Sequence, residues 1–322
     1  MSPKSRVLII AGPTASGKTA LALRLAEVST KAGRRPTSII SADSRQVYAG
    51  LDVLTGKDIP PGFSKKNDYY TNGVIRLWGL DLIRPDQVMT AAGYSDYARS
   101  VIATETKENR QVIVVGGTGF YLKALTQPAS LAKVAPDEKL RQKLNRLSVA
   151  ELKQKLKAID PERLDSMNQS DAANPRRLIR AIEVAVSTPA PVIPANAGIY
   201  SNRSPIESGM TTFSWVGLRL PLTEIKARIT ARVTARFDRS VEEVQALLTA
   251  CPDRSLPIYS SLGVGAVLKY LSGEITAPAA ETLWAAEEFQ YAKRQLTWFK
   301  KQPSIIWYDQ EEVSKLSLDK LI

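Results

Sequence analysis

Residues 12–19 read Gly12-Pro13-Thr14-Ala15-Ser16-Gly17-Lys18-Thr19, which fits the pattern G-x-x-x-x-G-K-[ST]. The apolar run Val7–Ala11 before this stretch predicts a buried strand, and Thr19–Ala26 after it has the spacing of a helix. Glycines let the backbone wrap a phosphate group, and the amides at the start of the helix point toward it. Lys18 adds a positive charge, and the Thr19 hydroxyl can reach a Mg²⁺ ion. The stretch therefore predicts a loop that binds a phosphorylated ligand, whether in a kinase, an NTPase or a transferase.

Two further apolar runs extend this unit into a sheet. Thr37–Ser41 predicts a short second strand, and Gln111–Val115 predicts a third one that ends in a Gly-Gly-Thr-Gly run before a helix from Phe120. Strands that alternate with helices form parallel sheets with right-handed crossovers. The predicted fold class is therefore α/β, with a P-loop NTPase-like parallel sheet flanked by helices.

The pattern changes beyond residue 130, where the first part of the core (1–130) ends. Residues 131–187 hold no strand-like run, and Lys and Arg recur there at helical spacings, which predicts a basic, all-helical insertion domain. Residues 188–212 are rich in Pro, Ser and Asn and predict an exposed, poorly ordered loop. Residues 213–322 are predicted to complete the core with a strand at Phe213–Leu220 followed mainly by helices.

Composition limits the classes of protein that fit. The formal net charge of +12 favours a polyanionic partner such as a nucleic acid without requiring one. A single cysteine, Cys251, excludes an internal disulfide and a cysteine-rich zinc site and suits a reducing compartment. No apolar stretch is long enough to span a bilayer, and no signal-peptide pattern opens the chain. We therefore expect a cytoplasmic protein with no membrane contact.

The chain contains no histidine. Every triad with a histidine base and every histidine-ligated metal site is thereby excluded. General acid–base chemistry must use a carboxylate, Lys, Tyr, Cys or a group of the substrate.

A second chemical signal, Ser-Ala-Asp-Ser-Arg-Gln-Val-Tyr at residues 41–48, follows the second strand. Ligands of doubly wound sheets bind at this edge, so Asp43 is a candidate to face the ligand of the phosphate loop. Asp43 is equally suited to cap a helix that begins at Ser44, and position alone leaves both roles open. The magnesium-binding aspartate that P-loop ATPases often carry after such a strand is missing after Gln111–Val115, which counts against simple ATP hydrolysis.

Three stretches together resemble the tRNA dimethylallyltransferases, also called isopentenyl-tRNA transferases. Members of that family show GPTASGKT, SxDSRQVY and GGTGxYL, which match residues 12–19, 41–48 and 116–122. The likeness continues along most of the chain through Asn174–Glu183, Arg228–Val233 and Tyr291–Phe299. The resemblance implies transfer of a dimethylallyl group from dimethylallyl diphosphate, with Mg²⁺ as cofactor, to N6 of adenosine 37 beside the anticodon of a tRNA.

The resemblance also implies roles for individual residues. Asp43 would accept the proton of the adenine amine, and Thr19 would bind the metal ion. The catalytic set would be Asp43, Lys18, Thr118 and Arg232. The diphosphate would lie on Gly12, Pro13, Thr14, Ala15, Ser16, Gly17, Lys18 and Thr19. The tRNA would contact Asp43, Ser44, Arg45, Gln46, Thr118, Arg141, Arg176, Arg177, Leu178, Ile179 and Arg180.

Arg228, Arg232 and Arg236 recur every fourth residue and therefore share one helix face. A solvated basic stripe explains Arg228 and Arg236 as well as a functional role does. Arg232 differs because it matches the position in the family that reaches the diphosphate.

The chain departs from the family at three places: Arg76–Asp81 replaces a His-rich stretch, Leu54–Lys57 replaces G-T-A-K, and Gly263–Gly265 replaces G-Y-[KR]. These departures bear on pocket details and spare the catalytic set. Alternative functions are a P-loop nucleoside or small-molecule kinase, an RNA-binding NTPase module, and an adenylate isopentenyltransferase. We expect a monomer with no obligate protein partner.

Overall fold

In a computed structural model of the protein, the strand that precedes the phosphate loop lies inside one mixed sheet. The model describes residues 6–127, 134, 137–187 and 211–321. Its strands are β1 (Arg6–Ala11), β2 (Thr37–Ser41), β3 (Ser64–Lys66), β4 (Tyr69–Thr71), β5 (Arg76–Trp78), β6 (Gln111–Gly116), β7 (Thr212–Leu218) and β8 (Ile305–Tyr308). Their order in the sheet is β3-β4-β5-β2-β6-β1-β7-β8. The six strands from β5 to β8 in that order run parallel, and the β3–β4 hairpin extends the sheet antiparallel at one edge.

The central strands end level with one another. They are continuous apolar runs because a parallel sheet covered by helices buries both faces of each strand. Ala11 at the end of β1 pairs with Gly116 on β6, and Ser41 at the end of β2 pairs with Val115. The loops after β1, β2 and β6 therefore leave the same edge of the sheet side by side.

Helices cover the sheet and build a second unit. In chain order they are α1 (Lys18–Lys31), α2 (Ala91–Lys107), α3 (Gly119–Thr126), α4 (Glu138–Leu144), α5 (Val149–Ile159), α6 (Pro161–Asp165), α7 (Gln169–Ala172), α8 (Pro175–Ser187), α9 (Leu222–Ala250), α10 (Val264–Leu271), α11 (Ala277–Phe299), α12 (Gln310–Ser314) and α13 (Leu318–Leu321). The long helices α9 and α11 pack against each other within the larger unit. The larger unit comprises residues 1–128 and 205–322, and the smaller one residues 129–204.

The smaller unit is helical and has a core of its own. Its buried side chains are Leu144, Leu152, Leu156, Leu178, Ile179, Ala181 and Ile182. Asn174 begins α8 by accepting a hydrogen bond from the Arg177 amide at 3.3 Å, and Pro175 occupies the first helical position, where its missing N–H is harmless. The helix start predicted at these two residues is confirmed.

The predicted α/β class is confirmed, as are the strands at β1, β2, β6 and β7. The strands β3, β4, β5 and β8 were not predicted, because each has only three or four residues. β3 is polar and fully exposed, whereas β8 is apolar but too short for its pattern to distinguish a strand from a helix segment. The helix expected from Ser44 is wrong, since residues 44–47 form a turn.

Of the Pro-rich segment 188–212, residues 188–210 lie outside the described residues, and the predicted loop falls there. No helix in the described part of the chain is long and apolar enough to cross a membrane.

Candidate active site

The phosphate loop presents an open helix N-terminus. Gly17 caps α1 in the left-handed conformation, with φ 86°, no side chain caps the first amides, and no acidic residue occupies the first turn. Ala15 also has a positive φ of 60°, which is uncommon for a residue other than glycine. The free amides of the first turn carry partial positive charge and point at whatever lies on the loop. The loop is therefore shaped for an anion.

Two amides of the loop are already occupied. The Thr14 N–H donates to Gln295 Oε1 at 2.7 Å, and Pro13 has no N–H to offer. The Ser16 N–H donates to the Pro13 carbonyl at 3.3 Å. Within the described residues, the amides of Ala15, Gly17, Lys18 and Thr19 therefore remain open to a phosphate group and form the anion cradle.

Lys18 folds back across the loop. Its Nζ donates to the Pro13 carbonyl at 2.5 Å. Burial lowers the pKa of Lys18 to about 7, while the charge of Asp43 opposes this shift and that of Arg232 adds to it. Near neutral pH, Lys18 is therefore poised between its charged and neutral forms.

A cavity of about 660 Å³ opens beside the loop, bounded by the segments after β1, β2 and β6 and by α9 and α11. The cavity brings together most site residues that were predicted in the larger unit. They are Thr14, Ala15, Gly17, Lys18, Thr19, Asp43, Ser44, Arg45, Gln46 and Arg232. Gly12, Pro13 and Ser16 are buried beneath the loop, and Thr118 contacts Ser44.

Asp43 stands at the start of a tight turn in this cavity. Its Oδ1 accepts a hydrogen bond from the Arg45 amide at 2.8 Å, and the Ser44 amide donates to Thr118 Oγ1 at 3.1 Å. Within the described residues, Oδ2 of Asp43 has no hydrogen-bond donor. One carboxylate oxygen thus fixes the turn, and the other is available to a ligand in the cavity.

Arg45 and Gln46 are held by protein groups. The Arg45 guanidinium donates to the Pro257 carbonyl at 2.8 Å and to Ser260 Oγ at 3.1 Å. Gln46 Oε1 accepts from Ser41 Oγ at 2.7 Å, and its Nε2 donates to the Gly56 carbonyl at 2.7 Å. Both side chains line the cavity in fixed orientations.

The three arginines of α9 have different surroundings. Arg232 Nη2 donates to Thr14 Oγ1 at 2.7 Å and pairs with the Glu288 carboxylate. Arg228 pairs with Glu224 on its own helix at 2.6 Å, and Arg236 pairs with Asp58. Arg232 is the member of the stripe that is tied directly to the phosphate loop.

Three polar residues of α11, Glu288, Tyr291 and Gln295, line the cavity together with Arg294, and the sequence reasoning gave none of the four a role. Burial and then the charge of Asp43 raise the pKa of Tyr291 to about 12, with hydrogen bonds to Thr118 and Gln295 opposing the shift. The three positions are spaced i, i+3 and i+7, so they share one helix face. Polar residues at this spacing, on a helix face whose neighbours are buried, are the sequence pattern that could have marked these positions as part of a site.

The predicted tRNA-contacting residues of the smaller unit differ in their exposure. Leu178 and Ile179 are buried in its core, where they pack α8 onto its neighbours, and their contact with tRNA stays a prediction. Arg176 and Arg177 are exposed, and Arg177 pairs with Asp171.

Arg141 and Arg180 bind a buried carboxylate in the same unit. Arg141 donates to both oxygens of Glu183 at 2.7 and 3.1 Å, and Arg180 donates to Oε2 at 3.2 Å. Burial by itself would raise the pKa of Glu183, but these arginines and the Asp137 amide hold it below the ordinary value. Both arginines therefore have a structural partner in addition to the predicted RNA contact.

The departures from the family pattern have local partners. Arg76 pairs with Glu105 at 2.8 Å, and the buried Lys57 pairs with Asp81. Gly263 allows the backbone to approach the Trp284 ring closely, since a Cβ at this position would lie 2.5 Å from that ring. Of the three departing stretches, residues 54–57 reach the cavity, since Leu54, Thr55 and Gly56 line it.

Comparisons with known proteins agree with this geometry. The family model described as IPP transferase matches residues 46–302. The chain is 32% identical to the tRNA dimethylallyltransferase of Prochlorococcus marinus (strain MIT 9313), covering 96% of this chain and 95% of the relative. It is also 32% identical to that of Moorella thermoacetica (strain ATCC 39073 / JCM 9320), with 98% and 94% covered. A solved structure, the full-length tRNA isopentenylpyrophosphate transferase from Bacillus halodurans, is similar with a TM-score of 0.63 and 26% identity, covering 98% of this chain and 93% of that one. As the sequence resemblance predicted, the chain belongs to the IPP transferase family, whose curated relatives are tRNA dimethylallyltransferases.

Proposed function

We propose that this protein transfers a dimethylallyl group from dimethylallyl diphosphate to N6 of adenosine 37 in tRNA and releases diphosphate. The observation that carries this proposal is the placement of an anion-binding loop and the Asp43 carboxylate in one cavity. The loop suits the leaving diphosphate, and the carboxylate suits the proton of the attacking amine.

The chemistry needs both groups because the adenine amine is a weak nucleophile. As its nitrogen bonds to the allylic carbon, the C–O bond to the diphosphate breaks and the nitrogen becomes acidic. Asp43 accepts that proton through its open carboxylate oxygen. The amides of the loop, Lys18 and Arg232 stabilise the charge that develops on the diphosphate.

The residues present fit a Mg²⁺ ion that arrives with the donor. Thr19 is exposed on the first turn of α1 and lines the cavity, where its hydroxyl is one suitable ligand. Mg²⁺ commonly takes one or two protein oxygens together with substrate phosphates and water. When bound, the ion would neutralise part of the diphosphate charge.

The direct test is mass spectrometry of anticodon-loop nucleosides from cells with and without this protein. We expect the N6-prenyl adenosine to disappear when the protein is absent. An unchanged nucleoside would contradict the proposal. The main alternative, a nucleoside kinase, would instead convert ATP to ADP in the presence of its acceptor. Transfer of the prenyl group to free adenylate would identify an adenylate isopentenyltransferase.

Donor affinity is expected to fall as pH rises through 7. A bound diphosphate favours the charged form of Lys18, whose pKa in the free protein is about 7, so binding takes up a proton above that pH. Each unit by which the donor raises this pKa is a factor of about ten in affinity. Calorimetric titrations of wild type and Lys18→Arg from about pH 6 to about 9 would check this. The arginine variant keeps its charge over this pH range, so it corrects for titration of the diphosphate itself. A ratio of the two Kd values that does not change with pH would contradict the prediction.

Exposed arginines of α8 are proposed to contact tRNA phosphates. Removal of Arg177, whose side chain is 58% exposed, should reduce the log–log dependence of tRNA affinity on salt by about 0.7 if it neutralises one single-strand phosphate. Lys157→Ala removes one exposed charge from the same unit and serves as the control. Equal slopes for wild type and Arg177→Ala would assign Arg177 to its ion pair with Asp171 instead.

That the enzyme acts as a monomer in the cytoplasm stays a prediction. Gel filtration of the purified protein, alone and with tRNA, would test the oligomeric state.

A further inference from the structure

Gln295 connects the two loops that the reaction would use. Its side chain is 5% exposed and lies on α11, and it makes one hydrogen bond to each loop. Oε1 accepts from the Thr14 amide at 2.7 Å, in the loop after β1. Nε2 donates to the Gly117 carbonyl at 2.9 Å, in the loop after β6. A primary amide offers an acceptor and a donor on one rigid group, and a carboxylate, an amine or a thioether lacks one or both.

Each loop carries one half of the proposed chemistry. Thr14 directly precedes the anion cradle in the loop after β1, and its hydroxyl accepts a hydrogen bond from Arg232. The residue after Gly117 is Thr118, which accepts from the Ser44 amide and so holds the turn that contains Asp43. The Gln295 amide is therefore the direct bridge from the leaving-group side to the side of the base.

The backbone on the second loop is fitted to this bridge. A Cβ on residue 117 would lie 2.2 Å from Gln295 Nε2, which is closer than any side chain allows. Glycine at this position lets the amide reach the carbonyl. One turn earlier on α11, Tyr291 contacts both Gln295 and Thr118, so the same helix face supports the bridge.

We propose that Gln295 is a positioning residue that fixes the spacing between the anion cradle and Asp43. This inference rests on the proposed function. Because Gln295 is committed to two backbone groups, its loss should change the geometry of the reacting atoms more than the affinity for either substrate. A displacement of about 1 Å between reacting groups can reduce a rate by about a hundredfold.

The test uses Gln295→Met, which keeps the length of the side chain and removes both hydrogen bonds. Gln290→Met, at an exposed position of the same helix, is the matched control. We expect kcat to fall about tenfold to a hundredfold in the first variant, with the Kd of dimethylallyl diphosphate and of tRNA within about threefold of wild type. Gly117→Ala should give the same pattern by displacing the amide, and it keeps the proposal testable if Gln295→Met does not fold.

A double-mutant cycle with Asp43→Asn separates positioning from general damage. If Gln295 acts by placing Asp43, each of the two variants should lower kcat by no more than about twofold in the Asn background, where the base is already absent. Equal losses in both backgrounds, or weaker donor binding with unchanged kcat, would overturn the inference. Absence of prenyl transfer by the wild-type protein would instead refute the proposed function, so the two failures are distinct.

Discussion

Replacement of Asp43 by Asn is expected to lower the turnover of prenyl transfer by about 10²–10⁴-fold. An Asn oxygen can still accept the hydrogen bond from the Arg45 amide, so the turn should keep its shape. The amide cannot take a proton at neutral pH, so only the base is removed. Single-turnover measurements with bound tRNA would show the loss in the chemical step, while tRNA affinity should change far less.

Asp58→Asn is the control for this variant. Asp58 lines the same cavity, and its carboxylate pairs with Arg236 while remaining 61% exposed. An exposed ion pair contributes at most about 1 kcal/mol, so this variant should stay within about fivefold of the wild-type rate. If Asp43→Asn were equally active, Asp43 would serve the turn alone, and the base would have to be sought elsewhere in the cavity.

Lys18→Ala should weaken donor binding and cut turnover by roughly 10²-fold or more. Lys18 lines the cavity beside the cradle. A preorganised charge at a developing oxyanion contributes several kcal/mol, about as much as one oxyanion-hole donor. The variant also loses the hydrogen bond to the Pro13 carbonyl, which frees the loop. Steady-state kinetics with varied donor and calorimetric donor binding would measure both effects.

Lys31→Ala provides the comparison at the other end of α1, where the lysine is exposed and far from the cradle in sequence. That substitution removes the same charge from the same helix, so its kinetics should match wild type. If donor affinity and rate survive in Lys18→Ala, the open amides of the cradle and Arg232 bind the diphosphate without the lysine.

The part of the site that the sequence predicted is the part built from local segments. A strand, a glycine-rich turn and a helix start are consecutive in the chain, so residues 12–19 showed the loop directly. Asp43 could be placed because parallel strands end at a common edge, and the pairing of Ser41 with Val115 confirms that edge.

Contacts between distant segments could not be predicted in this way. Thr14 and Gln295 are 281 positions apart, and nothing local to either residue shows that they meet. Leu178 and Ile179 show a second limit: a motif carries residues that build a helix together with residues that bind. Their positions beside Ile182 repeat as one apolar helix face, which was the sign that they belong to the core.

The position of β1 between β6 and β7 has a consequence for synthesis of the chain. β1 needs partners on both edges, and its β7 partner ends at Leu218, about 200 residues later. The helices α4–α8 leave the ribosome within that interval and have their own core. During translation the smaller unit can therefore fold while the central strand of the larger unit still has an unpaired edge. That interval is when the nascent chain is most open to aggregation and to chaperone binding.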